Sequence, residues 1–318
     1  MKLVSLLYIE LTTECNSKCK YCDYWKSNPL AMDIKLLKEI ETQFRGIQVS
    51  NLIFTGGEPL LHLNFIQMVK KIKNIINPKI CTLMTNGLLL KRYEKELSTL
   101  FSRIVISIDG FDENSYIKTR GINGFNKVLE NINFIKARHK NIEIRIKTTL
   151  HPEFIPFIPN FIDIMKKNNI NKISFNALDT VSQNAFSRNN NIQKQERYTI
   201  EAINDIILKL EKNNNSKIIV EDIDILKKTL LRNSNKSLIF PQCTALDTTL
   251  IINSNGDIKL CFYTEAIGNI LNNTLEDILQ SDKVQDLKNE FRTKNLKECF
   301  NCVSPYCILK EGDMPYRA

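Results

Sequence analysis

From the N-terminus to about residue 180, short runs of alternating apolar and polar residues are separated by longer stretches with helical spacing. The alternating runs predict strands over 6–12, 49–54, 79–84, 103–109, 142–149 and 171–178. The stretches between them predict helices near 33–45, 62–75, 90–98, 124–139 and 154–167. Strand and helix taking turns in this way implies a parallel sheet, because a parallel neighbour needs a crossover long enough to hold a helix. Six such units can close partway round, so the expected fold class is α/β, a partial (βα)6 TIM-like barrel.

Alternation within the strands carries more. In "EIRIKTTL", Ile144 and Ile146 share one face, while Glu143, Arg145, Lys147 and Thr149 share the other. In "RIVISIDG", Ile104, Ile106 and Ile108 oppose Val105, Ser107 and Asp109; in "LYIELTT", Ile9 and Leu11 oppose Glu10 and Thr12. A sheet covered by helices on both faces should be apolar on both. Polar faces in three strands therefore point to an open, ligand-holding lumen. Thr85, Arg145 and Lys147 are the candidates for substrate contact there. For Arg145 and Lys147 the ordinary alternative is a charge pair with Glu143 or Glu10. Cys81 is expected on the same face, with Leu83 and Thr85.

After residue 180 the chain becomes Asn-rich, with helical patterns near 196–212 and 221–232 that read as connectors and a partial lid. From 241 the character changes again. "TTLIINSNGDIKLCF" is two alternating runs around Asn255-Gly256, a hairpin signal that favours a type I′ turn. Short amphipathic helices are expected near 273–280 and 282–291. The expected division is a barrel unit over 1–235, with its core in 1–180 and connecting helices in 181–235, and a small cysteine-rich α+β unit over 236–318.

Composition changes this picture little. Of 318 residues, 43% are hydrophobic and 25% charged, proportions of a globular protein. No apolar run is long enough for a membrane span, and the apolar start stops at Glu10 without a cleavage-type site. A cytoplasmic protein is expected. The net charge of +9 comes mostly from scattered lysines rather than a compact patch, so a solvated surface is expected and no nucleic-acid partner.

The nine cysteines matter more, because a reducing compartment disfavours disulfides. Cys15, Cys19 and Cys22 form a C-x3-C-x2-C loop after the first strand; Cys81 stands alone; Cys243, Cys261, Cys299, Cys302 and Cys307 gather at the other end. Clusters of this kind point to metal. A structural zinc takes four protein ligands, and a cubane iron–sulfur cluster one thiolate per iron. Three thiols on one tight loop leave a coordination position for something else, unless a distant residue completes the set. The loop lies at the carboxyl end of the sheet, where α/β folds place their active sites.

These residues resemble the radical S-adenosylmethionine (SAM) enzymes. Besides the cysteine loop, with Tyr21 before its third cysteine, three segments follow in order at strand ends: "FTGGEP" (Gly56, Gly57, Glu58), "TNG" (Thr85 to Gly87) and "SIDG" (Ser107 to Gly110). The resemblance covers roughly the first 180 residues. It implies a [4Fe-4S] cluster on Cys15, Cys19 and Cys22 whose fourth iron binds SAM. Cleavage of SAM would give a 5′-deoxyadenosyl radical that takes a hydrogen atom from substrate. By matched position, Tyr21, Gly56, Gly57, Glu58 and Ser107 should contact SAM, with Leu178 on the adenine. Asn86, Asp109 and Arg120 are further candidates, the last two alternatively a structural ion pair. Cys81 could then donate a hydrogen atom to a substrate radical, although a buried cysteine is commonly a small apolar core residue. The three histidines, His62, His139 and His151, form no ligand pair and are assigned no chemistry.

The later cysteines resemble the auxiliary-cluster domain called SPASM or its shortened twitch form. One auxiliary [4Fe-4S] cluster is expected on Cys243, Cys261, Cys299 and Cys302, with Cys307 spare or substituting. The competing occupant is zinc. Family members with this domain mostly modify peptides, the reaction expected here with a reducing donor such as flavodoxin or ferredoxin. The alternative is oxidation of a small molecule such as a sugar or aminocyclitol. A ring-forming enzyme of molybdenum-cofactor synthesis shares the barrel motifs but has a different C-terminal cysteine pattern. The rival from another class is a non-catalytic electron carrier or zinc-stabilised binding module, which would have no need of a SAM pocket.

Overall fold

The computed structural model describes residues 3–26, 28–178, 198–214, 217–234, 243–299 and 302. Strands and helices alternate: β1 (Leu3–Thr12), α1 (Leu36–Gln43), β2 (Gln48–Gly56), α2 (Phe65–Ile76), β3 (Ile80–Thr85), α3 (Glu94–Leu100), β4 (Arg103–Ser107), α4 (Glu113–Arg120), α5 (Phe125–Arg138), β5 (Glu143–Leu150), α6 (Ile158–Lys167) and β6 (Ile173–Ala177). Two helices follow, α7 (Ile200–Asn213) and α8 (Ile223–Ser234). The chain then forms α9 (Ala245–Thr248), β7 (Thr249–Ile252), β8 (Asp257–Lys259), β9 (Gly268–Asn269), α10 (Leu275–Gln280) and α11 (Asp282–Arg292).

All six expected barrel strands are present and mutually parallel, in the order β6-β5-β4-β3-β2-β1. The sheet continues past β1 into β7, β8 and β9. β7 runs parallel to β1, from Leu6 opposite Thr249 to Ile9 opposite Ile252, so the cysteine-rich region shares the barrel's sheet. Helix α1 adds a second tie: the Gln43 amide donates to the Ile270 carbonyl at 3.0 Å, and its carbonyl oxygen accepts from the Leu275 amide at 2.6 Å.

The two faces of the sheet differ as alternation requires. Outward, Leu7, Ile9, Leu52, Phe54, Leu83, Ile104, Ile106, Ile144, Ile146 and Phe175 join one apolar core with the helices. Each such side chain contributes ~1.5–3 kcal/mol on full burial. Inward, a separate small cluster forms from Leu6, Tyr8, Ile53 and Ile251, with Met84 and Phe262 against it. Cys81 and Thr85 correct the expectation. Cys81 lies with Leu83 in the outer core and is buried, so it does not face the lumen. Thr82 and Met84 take the inward parity on β3, and Thr85 turns its hydroxyl to Glu58. Both faces of β3 are apolar enough that alternation alone leaves the choice of face open.

Helix α4 was not expected from the sequence, because "ENSYIKTR" shows almost no apolar face. Its ends specify it instead. Asp112 caps it by accepting from the Ser115 amide at 2.7 Å while Ser115 Oγ accepts from the Asp112 amide at 3.0 Å, and Gly121 closes it at φ +67°. The β7–β8 turn is a second correction. Gly256 alone of the pair has positive φ, +88°, whereas a type I′ turn needs both. The Gly256 amide donates to the Asn253 carbonyl, and the Asn253 amide to the Asp257 carbonyl, both at 2.9 Å. That makes a longer, bulged loop. Of the stretch after 180 expected as connectors and a partial lid, both helices are present as α7 and α8, while 179–197 and 235–242 lie outside the described residues.

Candidate active site

The cysteine loop leaves β1 at Thr12 and is clamped from three sides. On the β2 side the Gly57 amide donates to the Thr12 carbonyl and the Glu58 amide to the Glu14 carbonyl, both at 2.7 Å. A Cβ at Gly56 would sit 2.2 Å from the Thr12 oxygen, and one at Gly57 2.2 Å from the Glu14 oxygen. The glycine pair is thus required by the cysteine loop's own backbone. On the α4 side the Lys18 and Lys20 amides donate to the Arg120 and Thr119 carbonyls at 3.0 and 2.8 Å. On the β3 side Asn86 Nδ2 donates to Asn16 Oδ1 at 2.7 Å and to Ser17 Oγ at 3.1 Å.

Glu58 organises the β2 and β3 ends together. Its carboxylate accepts from Thr85 Oγ1 at 2.8 Å, the Asn86 amide at 2.7 Å and the Leu60 amide at 3.2 Å. Burial nevertheless pushes its carboxyl up to about 7. The side chain is fully enclosed, so both oxygens serve the protein. Asp109 is similarly committed: Oδ1 accepts from the Thr149 amide at 2.7 Å, and Oδ2 forms an ion pair with Arg120 Nε at 2.8 Å that is too bent for a hydrogen bond. Arg120 Nη1 reaches Cys19 Sγ at 3.5 Å.

Each of the three sulfurs has an N–H donor. Ser17 donates its amide to Cys15 Sγ at 3.4 Å, Arg120 serves Cys19, and the Tyr24 backbone serves Cys22. Burial pushes the Cys15 thiol up to about 11 and that of Cys22 up to about 12. Thiolates here need a positive centre, which the irons of a cluster supply. The donor set fits such a group. A cluster takes each thiolate on a different iron, so its ligands need not converge on one point; among the described residues no three ligating side chains close on a single ion.

The later cysteines repeat the pattern. The Ala245 amide donates to Cys243 Sγ at 3.4 Å and the Tyr263 amide to Cys261 Sγ at 3.5 Å. Cys243, Cys261, Cys299 and Cys302 share one electrostatic neighbourhood, and burial pushes Cys261 up to about 12. Cys307 lies outside the described residues.

Tyr21 places its ring 5.9 Å from that of His151 at the end of β5. His151 is buried with no hydrogen-bond partner on either ring nitrogen, and burial holds it below the usual imidazole range. Leu178 is buried just past β6; its amide donates to Tyr198 Oη at 2.7 Å, and that hydroxyl donates to the Leu150 carbonyl. Ser107 ends β4 on the inward face. Lower on β5, Arg145 Nη2 pairs with Glu143 Oε1 at 2.9 Å, while Lys147 has no such partner among the described residues. Sequence spacing gives no sign of His151 or Tyr198, which only folding brings here. A depression of about 530 Å³ is lined by Lys91, Lys127, Glu130, Asn131 and Phe134.

Two family models match this chain. Residues 9–155 match the Radical SAM superfamily, and residues 243–303 match an iron–sulfur cluster-binding domain, SPASM. GTP 3′,8-cyclase of Clostridium perfringens is 30% identical over 157 residues, 48% of this chain and 48% of that protein. This chain spans about half the length of the curated relatives it matches. Among solved structures, anSMEcpe with bound AdoMet has a TM-score of 0.69 at 19% identity, covering 95% of this chain and 85% of that one. Streptococcus suis SuiB bound to precursor peptide SuiA has a TM-score of 0.71 at 19% identity, covering 98% of this chain and 76% of that one.

Proposed function

We propose that this chain, a radical SAM enzyme with a C-terminal SPASM-type iron–sulfur domain, oxidatively modifies a peptide held in the barrel lumen. Its cofactors are a [4Fe-4S] cluster, SAM and an auxiliary iron–sulfur centre. Bound together, the first cluster and SAM supply a 5′-deoxyadenosyl radical able to take a hydrogen atom from substrate. The chain's part is to position and to exclude.

Cys15, Cys19 and Cys22 hold the first cluster, and Cys243, Cys261, Cys299 and Cys302 the auxiliary one. Tyr21, Ser107 and Leu178 line the SAM site, with Gly56, Gly57, Glu58 and Asn86 fixing the loop beneath it. The observation that carries this is the cysteine loop, clamped on three sides with an N–H aimed at every sulfur. Such donors hold thiolates in place and tune the potential of the centre they ligate. A peptide is favoured because the likeness to SuiB, solved with its precursor peptide, extends over barrel and C-terminal domain together. The alternative, a small-molecule substrate, has the cyclase relatives behind it, but those of Clostridium perfringens and Staphylococcus epidermidis match 48% and 60% of this chain. A flavodoxin- or ferredoxin-type donor would supply the electron.

Anaerobic incubation with reductant tests the class: 5′-deoxyadenosine should form with the wild type and not with Cys15→Ala/Cys19→Ala/Cys22→Ala. Release by the triple variant would overturn it. Adding GTP or a pool of short peptides tests the substrate. Peptides should stimulate release; stimulation by GTP alone would transfer the assignment to nucleotide chemistry.

A further inference from the structure

The lumen wall has an apolar stretch and a charged one, besides the buried Glu10 of β1, which accepts from the Tyr24 and Ser254 hydroxyls. β1, β2, β3 and β7 present Leu6, Tyr8, Ile53, Met84 and Ile251. β5 presents charge. Glu143 accepts three cations at once: Arg103 Nε at 2.6 Å, Arg145 Nη2 at 2.9 Å and Lys172 Nζ at 2.5 Å. Of these groups, Arg145 keeps its Nε buried without a hydrogen-bond partner.

Lys147 lies two residues further along the same face, in register between Ser107 of β4 and Ser174 of β6. It makes no hydrogen bond or ion pair with any described residue. The two carboxylates that act on it electrostatically, Glu221 and Asp109, are already engaged. Glu221 accepts from Ser174 Oγ and, at 3.0 Å, from the Phe175 amide. Asp109 serves Thr149 and Arg120. Burial accordingly holds the Lys147 ammonium below its ordinary range. An uncompensated cation in such a site costs stability unless a ligand completes it.

We infer that Arg145 and Lys147 form the receptor for a carboxylate of the substrate, an acidic side chain of a peptide whose apolar flank rests on the Tyr8–Ile53 wall. The inference rests on the lumen being the substrate site. Ammonium and guanidinium donors suit a carboxylate through charge-assisted hydrogen bonds. The anchor sits level with Ser107, so the carbons next to the bound carboxylate come beside the position matched to SAM. Selectivity for an acidic residue would follow, because the amide analogue brings no counter-charge to Lys147 and to the unpaired Nε edge of Arg145.

The test uses the anaerobically reconstituted holoenzyme with N-acetyl-glutamate amide, N-acetyl-glutamine amide and inorganic phosphate as probes. The acid should raise Tm and the amide should not. Lys147→Met should raise Tm without any probe and weaken acid binding about tenfold or more, 1.4 kcal/mol for each factor of ten. Lys147→Arg should restore the acid response, which a merely structural lysine would not require. Equal shifts with acid and amide, a lower Tm in Lys147→Met, or phosphate outcompeting the acid would each overturn the receptor. SAM cleavage by the wild type in the same preparation reports separately on the enzyme class.

Discussion

At the scale of single residues, the site rests on carboxylates that are buried for the protein's own use. Glu58 has its carboxyl raised to about 7 by burial, above the ordinary carboxylate range near 4.5. Its contribution to stability is therefore full below that ordinary range and is lost as pH rises through about 7. The full effect is of order 3 kcal/mol. Thermal melts of the wild type between pH 5 and 8 should show this decline, and Glu58→Gln should flatten it; parallel profiles would mean that the carboxylate titrates normally. Asp109 is the opposite case, a partner whose loss strands a charge. Asp109→Asn leaves Arg120 buried beside Cys19 without its counter-ion, a cost of about 3–5 kcal/mol by urea denaturation. A loss below ~1 kcal/mol, the range of a solvated surface pair, would show that the pair is not buried in solution.

At the scale of elements, the meeting of β2 with the cysteine loop leaves no room for a side chain. Gly57→Ala would put a methyl carbon 2.2 Å from the Glu14 oxygen, so the loop must retreat from the strand end. Iron analysis should show about four fewer irons per chain, the auxiliary iron remaining, on a count of one thiolate per iron. Unchanged iron would mean that the loop tolerates the displacement. Much of this level is legible in the sequence. Period-two runs locate all six barrel strands, and the cysteine spacing with "GGEP" and "SIDG" picks out the segments that meet at the candidate site. Three things are not legible, each for a physical reason. Helix α4 is defined by its caps at Asp112 and Gly121 rather than by an apolar stripe. The inward face of β3 is ambiguous because Cys81, Leu83, Thr82 and Met84 are all compatible with burial. The contact of Glu10 with Ser254 joins residues 244 positions apart, and no local pattern encodes it.

At the scale of the molecule, the strands next to the two cysteine groups, β1 and β7, pair within one continuous sheet. We expect Cys243→Ala/Cys261→Ala to lower iron by about four per chain and to stop product formation while 5′-deoxyadenosine release persists. Zinc in place of that iron would make the C-terminal region a structural staple. The strand shared by both halves has a further consequence. β1 leaves the ribosome well before its neighbour β7, which is made more than 200 residues later, a synthesis time of roughly 10–40 s at ordinary elongation rates. Until then the edge from Leu6 to Ile9 stands open beside an apolar surface, an invitation to pair with another nascent chain. Chains ended after residue 234 should therefore collect in the insoluble fraction, and a chaperone that shields early strands should matter more to this protein than its size alone suggests.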